Sequence, residues 1–387
     1  MNKYAKHHNQ NVKASSFEIV LLFSYIILKP FYLFPPGGIQ IADAFLIILF
    51  TKILFSLPGL RIGNWAITSY MYALLIVITI VSGTWTLLLS DLDLLMPILF
   101  FLFNLFLFLI TCHVITTNPN GRLYILWAVI LSAALQVVLI PFSFDELSRQ
   151  TLFFNNPNQL GYWATISACL FLYIAQKEEL SKLVYVIFTV LIFILAGLSL
   201  SKAAMISIII LYFTYYVKKP FVGIILLMGL STAIIFASEV EQVSNIIDRI
   251  SSIGASNDDN AAGRGYHRIW TEPENLIFGN GEGGLYRFDQ SFNNLMGHHE
   301  IHSTMGMLFF SYGPIGIFIF IAIFVKLYFT RGMYSILPFL PLFAYGLTHQ
   351  GFRFSFFWLL LGIVSTSYIE KVPLGKNLSK KTGVRIC

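Results

Sequence analysis

Most of the chain falls into apolar runs of about eighteen residues or more, long enough to cross a hydrocarbon core about 30 Å thick. No other feature narrows the fold as much, because a chain that crosses lipid must satisfy its own backbone within helices or a closed barrel. The runs do not alternate with period two, which argues against an outer-membrane barrel. Only 11% of the residues are charged, against roughly 25% in a soluble domain. The expected fold is therefore an all-α polytopic membrane protein, a single integral domain over residues 1–387. About twelve spans are expected, at 17–35, 39–57, 65–88, 94–116, 123–142, 159–176, 183–200, 203–217, 221–237, 304–325, 334–347 and 352–369.

Charge sets the expected orientation. With the N-terminus in the cytoplasm, seventeen of the 25 Lys and Arg residues face the cytoplasm and eight lie outside. That bias matches the positive-inside rule and puts both termini inside. The net charge of +6 is thus read as topology and not as a nucleic-acid signal. The polar start followed by a long apolar run does not look like a cleavable leader. Cys112 and Cys169 sit in apolar runs and Cys387 at the end, so no disulfide framework or cysteine metal site is expected.

The eight outer cations are Lys29, Arg149, Lys202, Arg249, Arg264, Arg268, Arg287 and Arg353. Charges kept close to membrane ends suggest function, or else snorkelling side chains. Lys29 fits snorkelling best, and Arg249 and Arg287 fit either account.

One long polar stretch, 238–303, interrupts the apolar pattern between the ninth and tenth spans, and the charge bias places it outside. It carries four of the eight histidines and the glycine run Gly279-Asn280-Gly281-Glu282-Gly283-Gly284. Val240, Val243, Ile247 and Ile250 recur at helical spacing, which predicts an interfacial amphipathic helix. Arg264 and Arg268 are four apart and would share a face if helical. Two guanidinium forks there could grip phosphate oxygens, or be scattered surface cations. The glycine run matches a dinucleotide fingerprint only formally, since no strand precedes it; a tight turn is expected instead. In His298-His299-Glu300-Ile301-His302 the spacing misses the metalloprotease pattern by one residue and no third ligand is evident. A histidine there can instead act as general base or hydrogen-bond donor.

Two shorter segments complete the set. Arg149 leads into Asn155-Asn156-Pro157-Asn158-Gln159-Leu160-Gly161, an outer turn before the sixth span. Lys202 ends Ser199-Leu200-Ser201-Lys202 between two apolar runs and there needs a partner or an aqueous cavity.

Together these pieces resemble the O-antigen ligase and polysaccharide polymerase superfamily. The resemblance rests on His302-Ser303 followed by Gly313-Pro314-Ile315-Gly316, on Asn156 through Gly161, and on the arginine and tryptophan segment before Phe278-Gly279-Asn280-Gly281. It covers about 149–316. It implies a twelve-span bundle with a large outer loop in a bacterial inner membrane. The implied reaction moves a glycan from an undecaprenyl-diphosphate carrier to an acceptor hydroxyl, with neither metal nor other cofactor. By resemblance His302 would orient or deprotonate the acceptor. Arg264, Arg268 and Lys202 would hold the donor diphosphate, with Arg149, Asn158, Glu282 and His299 in support. Lys202 stands where the family usually has arginine, which keeps the charge and loses the fork. The implied partners are the lipid-linked glycan, an acceptor glycan or lipid, membrane lipids and a chain-length regulator. A polymerase of repeat units and a ligase onto a lipid or protein acceptor both fit. A flippase would want charges lining the midplane, and here they gather on one side. A non-catalytic scaffold leaves His302 and the cations unexplained.

Overall fold

The computed structural model describes residues 15–34, 38–55, 64–143, 149–178, 180–216, 264–270, 273–283 and 301–366. Among these residues every regular element is a helix. The expected ninth span at 221–237, the amphipathic segment at 240–250, Arg249, Arg287, His298 and His299 lie outside the described residues.

The first two helices, α1 (Ser16–Leu28) and α2 (Ile41–Phe55), form an antiparallel pair pinned by an ion pair at each end. Ser15 and Glu18 make a reciprocal capping box at the start of α1. Lys52, near the end of α2, reaches Glu18 at 2.8 Å. At the other end Lys29 reaches Asp43 at 2.6 Å. Lys29 therefore does not snorkel into water as its position suggested: its side chain is 13% exposed, because a carboxylate waits on the neighbouring helix.

Next come α3 (Trp65–Leu89), α4 (Met96–Thr117), α5 (Gly121–Val138), the single turn α6 (Ile140–Ser143), α7 (Pro157–Ala175), α8 (Lys182–Ser199) and α9 (Lys202–Tyr216). The chain closes with α10 (Thr304–Arg331), α11 (Leu340–Gly346) and α12 (Ser355–Thr366). Helices α3, α4 with its preceding turn, α5, α8 and α10 are each long and apolar enough to cross a membrane. Their outward faces carry exposed apolar side chains such as Ile76 and Ile80, Val186 and Val190, and Phe318 and Phe329. An apolar surface of that kind suits lipid better than water.

The centre is formed by α7 and α12, whose residues Leu160–Ala175 and Ser355–Thr366 are all buried. Small residues bring helices close where apolar association alone gives little drive. A Cβ on Gly362 of α12 would lie 2.9 Å from Thr111 Cβ of α4. A Cβ on Gly161 of α7 would lie 2.9 Å from Ser199 Oγ, Ser201 Cβ and Ala204 Cβ. Gly161 thus seats the α8–α9 turn, where Leu200 adopts a left-handed conformation with φ 46°.

Helix α10 is broken at Gly313, where φ is 63° and ψ −169°, and Pro314 follows. Proline offers no N–H to the carbonyl four residues back, which is that of Phe310. Asn280 N–H donates to Phe310 O at 2.9 Å instead, and Gly281 N–H to Ser311 O at 2.9 Å. Trp85 of α3 holds the same turn through Gly279 O at 2.9 Å. The glycine run is accordingly a turn docked into a helix break. Ile269, Leu276, Ile301 and Phe310 form a small apolar cluster beside it.

Candidate functional site

A cavity of about 710 Å³ opens at one end of the bundle, between the α1–α2 turn, the start of α4, the start of α7, and the loops before α10 and α12. Its polar lining comprises Lys29, Asp43, His302, His349 and Arg353 with seven carboxamides, among them Asn104, Asn158 and Gln350. Tyr32, Phe100, Phe103, Tyr162, Tyr345 and Phe354 supply aromatic surface.

Two interlocked loops place the histidines. Ser303 caps α10 by accepting from Gly306 N–H at 3.1 Å, which fixes His302 just ahead of the first turn. His302 N–H donates to Arg264 O at 3.0 Å. Gln350 Nε2 donates to Ile301 O at 3.0 Å. Thr304 Oγ1 donates to His349 O at 3.1 Å and accepts from Gly351 N–H at 2.9 Å. The 301–304 and 348–351 backbones are thereby stitched together with both imidazoles lining one cavity. His349 also packs on Tyr345, ring centroids 4.9 Å apart. Burial, then electrostatic interaction with Arg264, His302 and Arg149, pushes the His349 pKa down to about 3. It is a neutral imidazole at physiological pH, able to donate and accept one hydrogen bond each.

Cations stand around this pair. Arg353 lines the cavity, with Nε donating to the buried Glu282 carboxylate at 2.6 Å and Nη2 paired to the same oxygen. Glu282 also accepts from Tyr312 O–H at 2.6 Å. Arg264 Nη1 donates to Thr348 O at 3.0 Å, directly behind His349. Arg149 donates to Asn158 Oδ1 at 2.8 Å and to Ser199 O at 3.3 Å, and so orients a cavity-lining amide. Asn156 caps α7, accepting from Gln159 N–H at 2.9 Å, which turns Asn155 through Gln159 toward the opening.

Of the residues singled out from sequence, the structure brings His302, Asn158 with its neighbours Asn156 and Gln159, and the outer cations Lys29 and Arg353 into the cavity wall. It sets Arg149, Arg264 and Glu282 one hydrogen bond behind that wall. Lys202 and Arg268 are buried and are not among the lining residues. The shared arginine face does not form. Tyr266–Trp270 is a short 3-10 helix that begins after Arg264, and with three residues per turn positions four apart diverge. His299 lies outside the described residues.

Sequence reasoning missed Asp43, Asn104, His349 and Gln350, and gave Lys29 a bland role. Their signal was faint but physical: single polar residues at the ends of apolar runs, costly in a membrane unless paired or facing a cavity. Set against known proteins, the chain matches no family model and no curated sequence.

Proposed function

We propose that the protein is a membrane glycosyltransferase that polymerises undecaprenyl-diphosphate-linked oligosaccharide units of a surface polysaccharide. In this reading it resides in a bacterial cytoplasmic membrane with twelve spans, both termini cytoplasmic and the cavity outside. The supporting observation is the cavity itself, which joins two imidazoles, amides, internally paired charges and aromatic faces at the end of an apolar bundle. Sugars are bound by that mixture: amides and paired ions meet hydroxyls, and rings cover the C–H faces. The sequence resemblance points the same way.

The chemistry is a displacement at the anomeric carbon. The acceptor hydroxyl oxygen bonds to that carbon as its bond to the diphosphate breaks. The lipid diphosphate leaves with the electron pair, and the hydroxyl proton passes to the His302 imidazole. Base assistance of this kind contributes about a hundredfold to ten-thousandfold. Charge develops on the diphosphate, and prepositioned cations stabilise it without reorganising. Arg264 and Arg149, hydrogen-bonded to a backbone carbonyl and an amide, stand just behind the wall, while Arg353 at the wall is already paired with Glu282. Lys202 and Arg268, buried and not part of this wall, contribute field in place of contact.

The test is purified protein in lipid nanodiscs with lipid-linked repeat units. A ladder of polymers is expected. Transfer of a single glycan to a lipid or protein acceptor would identify a ligase instead, and no transfer at all would overturn the glycosyltransferase reading.

A further inference from the structure

Asn104 is the least expected member of the cavity wall. It sits on α4 with Phe100 and Phe103, at spacings of four and one that keep all three on the cavity side. It is 3% exposed, its Nδ2 donates to Arg353 O at 3.4 Å, and its Oδ1 has no hydrogen-bond partner. A buried acceptor left unmet is unfavourable; Asn104 Oδ1 is itself closed to solvent and meets a ligand's donor when the amide turns toward the cavity that its residue lines.

Lys29 and Asp43 line the same cavity. Lys29 Nζ lies 5.5 Å from the Phe103 ring centroid, and 5.9 and 5.8 Å from those of Tyr25 and Tyr32. Its salt bridge to Asp43 cancels the charge locally. The second Asp43 oxygen accepts from Gln40 N–H at 2.9 Å, which fixes the carboxylate. The equivalent pair at the other end of α1–α2, Lys52 with Glu18, lines no part of this cavity, so holding the two helices together does not require one.

We infer that Lys29, Asp43 and Asn104 form a second subsite that holds the acceptor sugar, an uncharged ring with free hydroxyls, so that one hydroxyl is presented to His302. The inference rests on the glycosyltransferase reading. The assignment to acceptor follows from charge. A neutral ion pair offers a diphosphate no net attraction, while hydroxyls can donate to Asn104 Oδ1 and Asp43 and accept from Lys29. Phe100 and Phe103 give the ring an apolar face.

The experiment uses full-length protein in nanodiscs, saturating lipid-linked donor and a titrated synthetic acceptor oligosaccharide. Asn104→Leu should raise the acceptor KM about tenfold, leave the donor KM unchanged, and unfold no earlier than wild type because the unmet acceptor is gone. The paired variant Lys29→Met with Asp43→Leu keeps apolar packing between α1 and α2 and should raise the acceptor KM likewise. An unchanged acceptor KM in both, or a donor KM that rises in step, overturns the subsite. If wild type makes no product, the glycosyltransferase reading fails, and calorimetric binding of the same oligosaccharide decides the subsite. Binding weakened by Asn104→Leu upholds it; binding equal in both, or absent from wild type, overturns it.

Discussion

The imidazoles of His302 and His349 stand 6.4 Å apart, centroid to centroid, with their planes crossed at 68°. Each stands just outside a helix end. His302 precedes the cap of α10 and His349 follows the short α11, and hydrogen bonds from the Thr304 and Gln350 side chains to the backbone of the opposite loop set the separation. His302→Ala should abolish polymer formation, with a rate loss of at least about a hundredfold and normal protein in the membrane fraction. Normal polysaccharide in cells carrying that variant would remove His302 from the reaction.

The acid response of the fold should carry the mark of His349. Its folded pKa of about 3 lies below the ordinary 6.5. Between those values the unfolded chain binds a proton that the folded protein refuses. Stability should therefore fall as pH drops from 6.5 toward 3, with no contribution above 6.5. His349→Gln should flatten that limb in thermal unfolding followed by tryptophan fluorescence at pH 7, 5 and 4. Parallel curves for the two proteins would show that His349 is not held neutral.

Glu282 and Arg353 should behave as a unit. Glu282→Gln leaves Arg353 short of its buried counter-charge and alters the Tyr312 bond, with an expected cost of about 1–3 kcal/mol and a fall in activity. Replacing both by Met should cost less than the sum of the single changes. Melting temperatures of the four proteins in one detergent give the coupling, and simple additivity would mean the pair is not formed.

Gly279 and Gly313 face each other across the break in α10. A Cβ on Gly313 would lie 2.6 Å from Ile277 O, and one on Gly279 would strike Ser311 O; φ is +63° and +105° respectively. Gly279→Ala and Gly313→Ala should each destabilise by about 1–3 kcal/mol. Limited proteolysis should then cut the 273–283 segment sooner while α3 stays protected. Unchanged cleavage would mean that the turn is not anchored there.

How far could these features be read from the chain? The helices could, because burial in lipid or protein imposes long apolar runs; even the short α11 overlaps an expected segment at 334–347. His302 and Asn158 were also readable, since polar residues flank proline and glycine at the mouths of apolar runs. The burial of Arg268 and Lys202 off this cavity was not readable, because a cation in sequence says nothing of the depth at which its side chain ends. Lys29, Asp43 and Asn104 were obscure for a related reason. Periodicity shows that α1, α2 and α4 exist, but not that their polar residues converge on the loop before α12.

The break at Gly313 and Pro314 has a bearing on how the protein is made. Phe310 O receives its donor from Asn280, thirty positions earlier in synthesis. A bilayer supplies no water to a stranded carbonyl. Helix α10 therefore completes its hydrogen bonding only by docking on the Asn280 turn, a segment synthesised before it. Helix α10 is in that sense assembled from two separate stretches of chain, and its hydrogen bonding is complete only when the Asn280 turn has docked.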